Sequence, residues 1–172
     1  MIKWSIKISN EDGFADLTEK WGLIPLSIDH RMSAPIKARD KSAYAEQRGV
    51  NIDTRAVYDT FEVTAKVCAI AKNVQHVNCL ISAFNEAIFI KRDDSDIVDV
   101  QKVVLLDHDK HRALVGYPKQ PLGTEPEEWF RVGDEEVAVM DLVIEVADPN
   151  ECDFDYHEGV GYWVIGSTFK IR

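Results

Sequence analysis

The spacing of the apolar residues changes abruptly at Asn73, and this change constrains the fold more than any other feature of the chain. Over residues 61–69 every second residue is apolar, which is the pattern of a strand with one buried face. Over residues 74–88 the apolar residues recur at steps of three and four, which is the pattern of an amphipathic helix. Asn73 suits the N-cap, since its side-chain oxygen can accept a hydrogen bond from a free helix amide. The sequence therefore predicts a strand that leads directly into one α-helix, at about residues 73–88.

Most of the other patterned segments are predicted to be strands, because their apolar residues alternate or form short runs bounded by turn residues. These segments cover residues 2–8, 21–29, 96–107, 112–118, 135–147 and 161–171. Strands, one helix and further strands, in that order, favour a mainly β or α+β class. We therefore expect a β-sandwich or split barrel with one packed helix. A chain of this length suits a single domain, residues 1–172, whose last strand lies in a C-terminal extension, residues 155–172.

Two segments stand out by their polarity and charge. Residues 29–58 are polar and only weakly periodic, and we expect a long loop or arm, which in a compact domain is uncommon and often functional. Residues 125–158 carry thirteen acidic residues and one basic residue, Arg131, in a chain of net charge −10. Such a balance opposes nonspecific binding to nucleic acid through phosphate contacts. The acidic stretch is either a solvated face that keeps the protein soluble or a surface that faces a partner or a pore.

Composition also indicates the cellular compartment of the protein. No apolar run approaches the ~20 residues of a membrane helix, so we expect no membrane partner. The N-terminus alternates apolar and polar residues, which is not the pattern of a signal peptide. The cysteines at positions 68, 79 and 152 form no CxxC pair, and we expect buried free thiols in a reducing compartment.

The stretch LLDHDKHRALVGY places Asp107, His108, Asp109 and His111 within five positions. Asp and His can ligate zinc, but a zinc site also needs a third protein ligand and residues that orient the ligands. The cluster falls between two apolar strand segments, where a turn must lie, and hairpin connections of two to five residues are the norm. We interpret the cluster as a hairpin tip. A small metal-dependent or hydrolytic enzyme that uses Asp107, His108 and His111 is the alternative hypothesis.

No other catalytic constellation is visible in the sequence. There is no GxSxG motif, no phosphate-binding glycine loop and no localised pair of carboxylates. We therefore expect no enzyme activity, no catalytic or metal-binding residues and no cofactor. A ligand-binding β-barrel with an apolar interior is a third hypothesis. Trp129 lies in the acidic stretch and is our first candidate for a subunit interface, since aromatic anchors dominate such contacts.

The order of the segments resembles a known family. A strand, FEVTAKVCAI, leads into a helix, NVQHVNCLISAFNEAIF, then a hairpin, VVLLDHDKHRALVGYP, and a late strand with an aspartate-proline stop, VMDLVIEVADPNECDF. The beginning, with ADLTEKWGLIPLS before a long loop, is similar as well. Over about residues 2–154 this order resembles the N-terminal domain of the distal tail proteins of long-tailed bacteriophages, which are hub components of the tail tip or baseplate.

The resemblance implies a structural role in the tail of a phage or prophage. It implies a ring of copies, six by analogy, that links the tail tube to the baseplate or fibre, with tube, tape-measure or fibre proteins as partners. It carries no catalytic residues and no sequence-specific nucleic-acid contact, and it implies synthesis in the bacterial cytoplasm before incorporation into the virion tail. An acidic pore lining that repels DNA phosphates is a further hypothesis for the acidic half.

Overall fold

The computed structural model shows a mainly β chain, which confirms the predicted class. It describes residues 2–29, 41–42, 51–52, 59–93, 96–124, 128–147, 162–165 and 170–171. Most of the arm predicted at residues 29–58 therefore lies outside the described residues. The two short pieces described within it pair with each other as antiparallel strands, which its weak periodicity did not predict.

The elements are numbered in chain order. The strands are β1 (Trp4–Ile8), β2 (Ala15–Asp16), β3 (Leu23–Ile28), β4 (Lys41–Ser42), β5 (Asn51–Ile52), β6 (Phe61–Ala71), β7 (Phe89–Lys91), β8 (Val98–Val100), β9 (Val103–Asp107), β10 (Arg112–Pro118), β11 (Glu128–Val132), β12 (Glu135–Val146), β13 (Tyr162–Val164) and β14 (Lys170–Ile171). The helices are α1 (Leu17–Trp21) and α2 (Val74–Ile88). Ten of the described strands are connected in one sheet, with the order β2-β1-β9-β10-β12-β6-β3; β11 also pairs with β12, and β13 with β10 and β14.

The long antiparallel pair β6–β12 forms the centre of this sheet. Its register runs without a break from Phe61 opposite Val146 to Ala71 opposite Glu136. Alternate residues of β6, among them Val63 and Val67, are fully buried, so the alternation in the sequence does mark the core face of the strand. α2 packs on β6 and β12, on the side of the sheet that these residues face.

The sheet must curl, because its two ends are joined by a very short connection. β2 and β3 lie at opposite ends of the strand order, yet only residues 17–22 separate them in sequence. Six residues span at most about 20 Å even when fully extended, and helical residues span less. The ends of the sheet are therefore close together, as in the predicted sandwich or split barrel.

That connection contains a second helix, α1, so the prediction of one helix was wrong. The Asp16 side chain caps its beginning by accepting hydrogen bonds from the amides of Thr18 at 2.9 Å and Glu19 at 3.1 Å. Gly22 ends the helix at φ +67°, and its amide donates to the carbonyl of Thr18 at 2.9 Å. No helix is predicted before the strand at residues 21–29, although Asp and Gly at these positions are ordinary helix-boundary signals.

α2 has the predicted bounds and the predicted cap. The Asn73 side chain accepts a hydrogen bond from the amide of His76 at 2.8 Å. Asn85 lies beside the apolar face, half-buried, and exchanges two hydrogen bonds with the backbone of Leu122, at 2.8 and 3.0 Å. The apolar face of the helix is buried at Val77, Ile81, Phe84 and Ile88 and half-buried at Leu80.

The β9–β10 pair is buried on both faces. One face belongs to the main core between the sheet and α2. The other face forms a second, smaller core, which Tyr162 and Val164 of β13 cover and against which Phe14 packs. The residues of the first face are Val103, Leu105 and Leu114, and those of the second are Val104, Leu106, Ala113 and Val115.

Gly116 lies where β10 passes from one neighbour to another. Residues 112–116 pair with β9, whereas Tyr117 and Pro118 pair with β12. A Cβ atom at Gly116 would lie 2.3 Å from the carbonyl oxygen of Glu145 and 2.8 Å from Cγ2 of Ile144. Only glycine allows the two strands to approach so closely.

Other differences from the sequence predictions concern short edge elements. The strand predicted over 96–107 is divided into β8 and β9, and β8 pairs with β7 in a hairpin outside the main sheet. The strand predicted over 161–171 is seen as the two short strands β13 and β14. Cys68 is buried as predicted, and burial raises its thiol pKa, but Cys79 is exposed on α2. None of the described helices is long and apolar enough to cross a bilayer.

Candidate assembly surface

The Asp107 cluster forms a four-residue turn between β9 and β10, as predicted. Asp107 is buried, and its Oδ1 accepts hydrogen bonds from the amides of Asp109 at 3.1 Å and Lys110 at 3.2 Å, which closes the turn. His111 completes the turn with a φ of +51° and is exposed. Among the described residues, no group of three or more His, Cys, Asp or Glu side chains could hold a metal ion.

His108, in contrast, is not a solvated tip residue. Its Nε2 lies 2.7 Å from Oγ of Ser5, and its Nδ1 lies 2.9 Å from the hydroxyl of Tyr162. Its backbone amide donates to the carbonyl of Lys3 at 3.1 Å. His108 thus joins three segments that are distant in sequence: β1, the β9–β10 hairpin and β13. We call Ser5, His108 and Tyr162 the polar clasp.

The polar clasp contains a serine beside a histidine, as a Ser–His catalytic pair does, but its surroundings suit a structural role. Ser5 pairs with Leu106 on one side and Asp16 on the other, so it lies within two ladders and not on an exposed elbow. Only 9% of its surface is exposed, which leaves little room for a substrate. The third group is a phenol and not a carboxylate. Burial, and then the negative charge of Asp107, raise the pKa of Tyr162, so the hydroxyl stays protonated at neutral pH.

A small cavity lies beside the turn, where the two ends of the curled sheet meet. Its walls are mostly apolar and include Ile2, Trp4, Leu26 and Ile28, with Asp107 at one side. Its volume of about 200 Å³ is below the range of about 300–1,000 Å³ that is usual for small-molecule sites. The cavity therefore gives little support to the ligand-binding barrel hypothesis.

Two of the three exposed aromatic side chains among the described residues, Trp129 and Phe130, lie on β11, and the third, Tyr117, lies on β10. Every residue of β11 is exposed, and Trp129, Phe130 and Val132 expose 41%, 45% and 57% of their surfaces. β11 lies within the acidic stretch of residues 125–158, where no strand is predicted before residue 135, and its conformation is set by pairing with β12, with Phe130 opposite Val137. Among the described strands, β12 is its one neighbour, so β11 is an edge strand.

Trp129 and Phe130 lie on opposite faces of the sheet. Trp129 is opposite Ala138, a residue of the main core, so it lies on the face that α2 covers. Phe130 lies on the other face, in one row with Val137 of β12 and Ile70 of β6. Ile70 exposes 36% of its surface, but Val137, which lies between it and Phe130, exposes only 5%, so the row is not a continuous exposed strip. Val132, two residues along β11 on the same face as Phe130, is exposed as well, and contiguous exposed apolar residues indicate a contact surface.

The β7–β8 hairpin is a second projection with exposed apolar residues. It is tied to the rest of the chain at its base, where the amide of Gln101 donates to the carbonyl of Ile88 at 2.8 Å. Near its tip the Arg92 guanidinium makes two hydrogen bonds to the Asp99 carboxylate, at 2.7 and 2.8 Å. The exposed apolar residues of this hairpin are Ile90, Ile97, Val98 and Val100.

Comparison with known proteins gives one structural likeness of interest. No protein-family model and no curated protein sequence matches the chain. Among solved structures, the chain is similar to Dit (gp 19.1) of phage SPP1, described as a paradigm of the hub adsorption apparatus in phages that infect Gram-positive bacteria. The sequences are 15% identical, the TM-score is 0.46, and the match covers 82% of this chain and 49% of Dit, so the chain spans about half the length of that protein.

Proposed function

We propose that this protein is a structural component of a phage tail, in which copies of the chain form a ring at the tail tip and link the tail tube to the baseplate or fibre. The order of segments in the sequence, which resembles the distal tail proteins, supports this proposal. β6, α2, β9–β10 and β12 follow one another in the same order along the chain. The ring and its links to other tail proteins are implied by this resemblance.

The observation that carries the proposal is the exposed edge strand β11. It presents Trp129, Phe130 and Val132 to solvent, together with one unpaired row of backbone groups among the described strands. A lone soluble domain usually covers or charges such an edge, because it invites pairing with other chains. A subunit of an assembly buries the same surface against a neighbour, where aromatic anchors contribute most of the binding energy. We place Trp129 in that subunit interface.

Ring closure requires two different surfaces on each copy, because a head-to-tail contact is heterologous. β11 is one candidate surface. The segment 29–58, which we expected to be an arm from its polarity and length, is the other. In this proposal the polar clasp keeps the protomer rigid and takes no part in chemistry, so the protein is not an enzyme.

The test is cryo-electron microscopy of tails that contain this protein. We expect a closed ring around the axial channel, with six copies if the analogy holds and with segment 29–58 in contact with an adjacent copy. Tails in which the protein is absent from the axis would refute the tail-hub proposal. A second test is to measure hydrolytic activity and bound metal in the purified protein and in the His108→Ala variant; catalysis or stoichiometric metal that the substitution removes would favour the enzyme hypothesis.

A further inference from the structure

The polar clasp fixes the position of one proton. Tyr162 exposes 1% of its surface, and among the described residues its hydroxyl has one hydrogen-bond partner, Nδ1 of His108, at 2.9 Å. A buried hydroxyl proton without an acceptor costs free energy, so this proton lies on the bond to Nδ1. Nδ1 must then accept, and the proton of the neutral imidazole lies on Nε2, which donates it to Oγ of Ser5 at 2.7 Å. The geometry thus selects one of the two neutral tautomers of His108.

Protonation of His108 changes this arrangement on one side only. Both ring nitrogens of an imidazolium are donors. Oγ of Ser5 already accepts from Nε2, so that hydrogen bond is unchanged. The oxygen of Tyr162 must now accept from Nδ1, and its own proton turns away from the ring into buried surroundings. The proton is then unsatisfied, which weakens the contact between the β9–β10 turn and β13.

The charges around His108 do not remove this penalty. The charged and titratable side chains of the described elements around it are Lys3, Asp16, Asp107, Asp109, Lys110, His111, Arg112 and Tyr162. The negative charge of Asp107 favours an imidazolium, and it also acts on the Tyr162 hydroxyl. However, Oδ1 of Asp107 already accepts two amide hydrogen bonds within the turn, and Lys110 and Arg112 oppose a further positive charge.

The contact with His108 matters because β13 is short. Its described pairing with β10 consists of Trp163 opposite Arg112 and Val164 opposite Ala113, and the Ile165 amide donates to the Ala113 carbonyl at 2.7 Å. Tyr162 and Val164 nevertheless cover the second core. A segment with so short a ladder can open at a small free-energy cost, so the loss of one side-chain hydrogen bond changes how often it opens.

We propose that the polar clasp is a pH switch for the C-terminal strand, in which protonation of His108 releases Tyr162 and lets β13 open from the second core. The folded clasp requires the neutral imidazole. Its contribution to holding β13 is therefore complete above the ordinary histidine pKa of about 6.5 and is lost as the pH falls below that value. The switch acts within a single chain and does not depend on the proposed ring.

The tautomer is tested by NMR of the histidine ring nitrogens in the full-length protein, with His108→Gln used to assign the signals. At about pH 7.5, above the ordinary histidine pKa, the shifts of His108 should show a proton on Nε2 and an acceptor at Nδ1. A proton on Nδ1 at this pH would mean that Tyr162 does not donate to the ring, and the proposed switch would be wrong.

The opening of β13 is measured by amide hydrogen exchange of the full-length protein at about pH 7.5 and about pH 5, on either side of the histidine pKa. The protection factor of the Ile165 amide, corrected for intrinsic exchange, should fall at least about fivefold in acid, because a buried donor becomes unsatisfied. The backbone amides of β6 should keep their protection, since the effect is local.

Two variants separate the switch from other effects of acid. Tyr162→Phe has no phenol proton to leave unsatisfied, so protection of Ile165 should be lower at neutral pH and should change little further in acid. His111→Ala removes the other histidine of the turn and should respond to acid like the wild type.

An unchanged protection factor in the wild type, or an equal fall in Tyr162→Phe, would overturn the proposed switch. A fall of the same size throughout β6 would indicate a general loss of stability in acid and would overturn it as well. A response that disappears in His111→Ala would assign the pH dependence to His111 instead.

Discussion

The two hairpins β9–β10 and β11–β12 both have acidic residues at their turns, but the strands of the first are mostly buried whereas β11 is exposed. The turn of β9–β10 contains Asp and His residues that suggest chemistry, yet its strands are buried on both faces and its polar groups bind other parts of the same chain. β11 has the composition of a solvated acidic loop, yet it is an ordered edge strand with every residue exposed. The difference shows that residue types alone did not indicate which hairpin is buried in this protein. The packing of the flanking strands decides it.

This comparison predicts that substitutions in the first hairpin reduce stability and substitutions in the second reduce association. Leu114 on β10 is fully buried in the main core, and Phe130 on β11 exposes 45% of its surface. Leu114→Ala should lower the free energy of unfolding by about 2–5 kcal/mol, because it leaves a cavity. Phe130→Ala should lower it by less than about 1 kcal/mol, the usual range for a cross-strand pair. Urea titration of both variants measures the difference, and equal losses would show that β11 is buried within its own chain.

Gly116→Ala tests the crossing point of β10. The new Cβ would lie 2.3 Å from the backbone oxygen of Glu145, so one of the two strands must shift. We expect a loss of about 1–3 kcal/mol, which is typical of overpacking. Gly116→Ala is compared with Ala113→Ser, a small substitution at another buried position of β10, away from the crossing. Little change for Gly116→Ala in thermal unfolding would mean that β10 and β12 separate here at no cost.

The sequence predicted the long elements and missed the short ones, for a physical reason. β6, α2, β9, β10 and β12 each contain enough apolar residues in one period to be recognised. β11 has five residues, and α1 is a single helical turn whose stability comes from its caps and its packing. Its cap residues, Asp16 and Gly22, were available in the sequence. A long element can therefore be predicted from the period of its own apolar residues. The conformation of a short element depends on contacts with neighbouring elements, which its own sequence does not show.

The polar clasp could not be predicted from the sequence at all. Ser5 and His108 are 103 residues apart, and His108 and Tyr162 are 54 apart. No periodicity or spacing connects such positions; only the pairing of β1 with β9 and of β13 with β10 brings them together. The hairpin interpretation was right for the turn, but His108 is half-buried and hydrogen-bonded to β1 and β13, so it is not a solvated tip residue. The proposed interface at Trp129 stays a prediction.

Tyr162→Phe tests the polar clasp and predicts a pH dependence. Loss of the hydroxyl leaves Nδ1 of His108 without this partner, and we expect a loss of about 1–2 kcal/mol at neutral pH. Burial, and then Asp107, raise the pKa of Tyr162 above its ordinary value of 10.0, so the folded state holds the phenol proton more tightly than the unfolded state. This contribution is complete below about pH 10 and is lost as the pH rises through the higher folded-state pKa. The difference in the free energy of unfolding between the wild type and Tyr162→Phe, measured by urea titration, should therefore shrink as the pH rises above about 10.

The smallest effect should come from the other histidine of the same turn. His111 is exposed, and its ring makes a tilted contact with the ring of Tyr162, with the centroids 6.1 Å apart. His111→Ala should change the free energy of unfolding by no more than about 0.5 kcal/mol. His111→Gly should be neutral or slightly stabilising, because glycine adopts the φ of +51° without the steric cost that a Cβ atom brings. His108→Ala, measured beside them, should cost clearly more. If both histidines proved equally dispensable, the polar clasp would not hold the hairpin to β1 and β13, and the contrast between the two hairpins would rest on apolar burial alone.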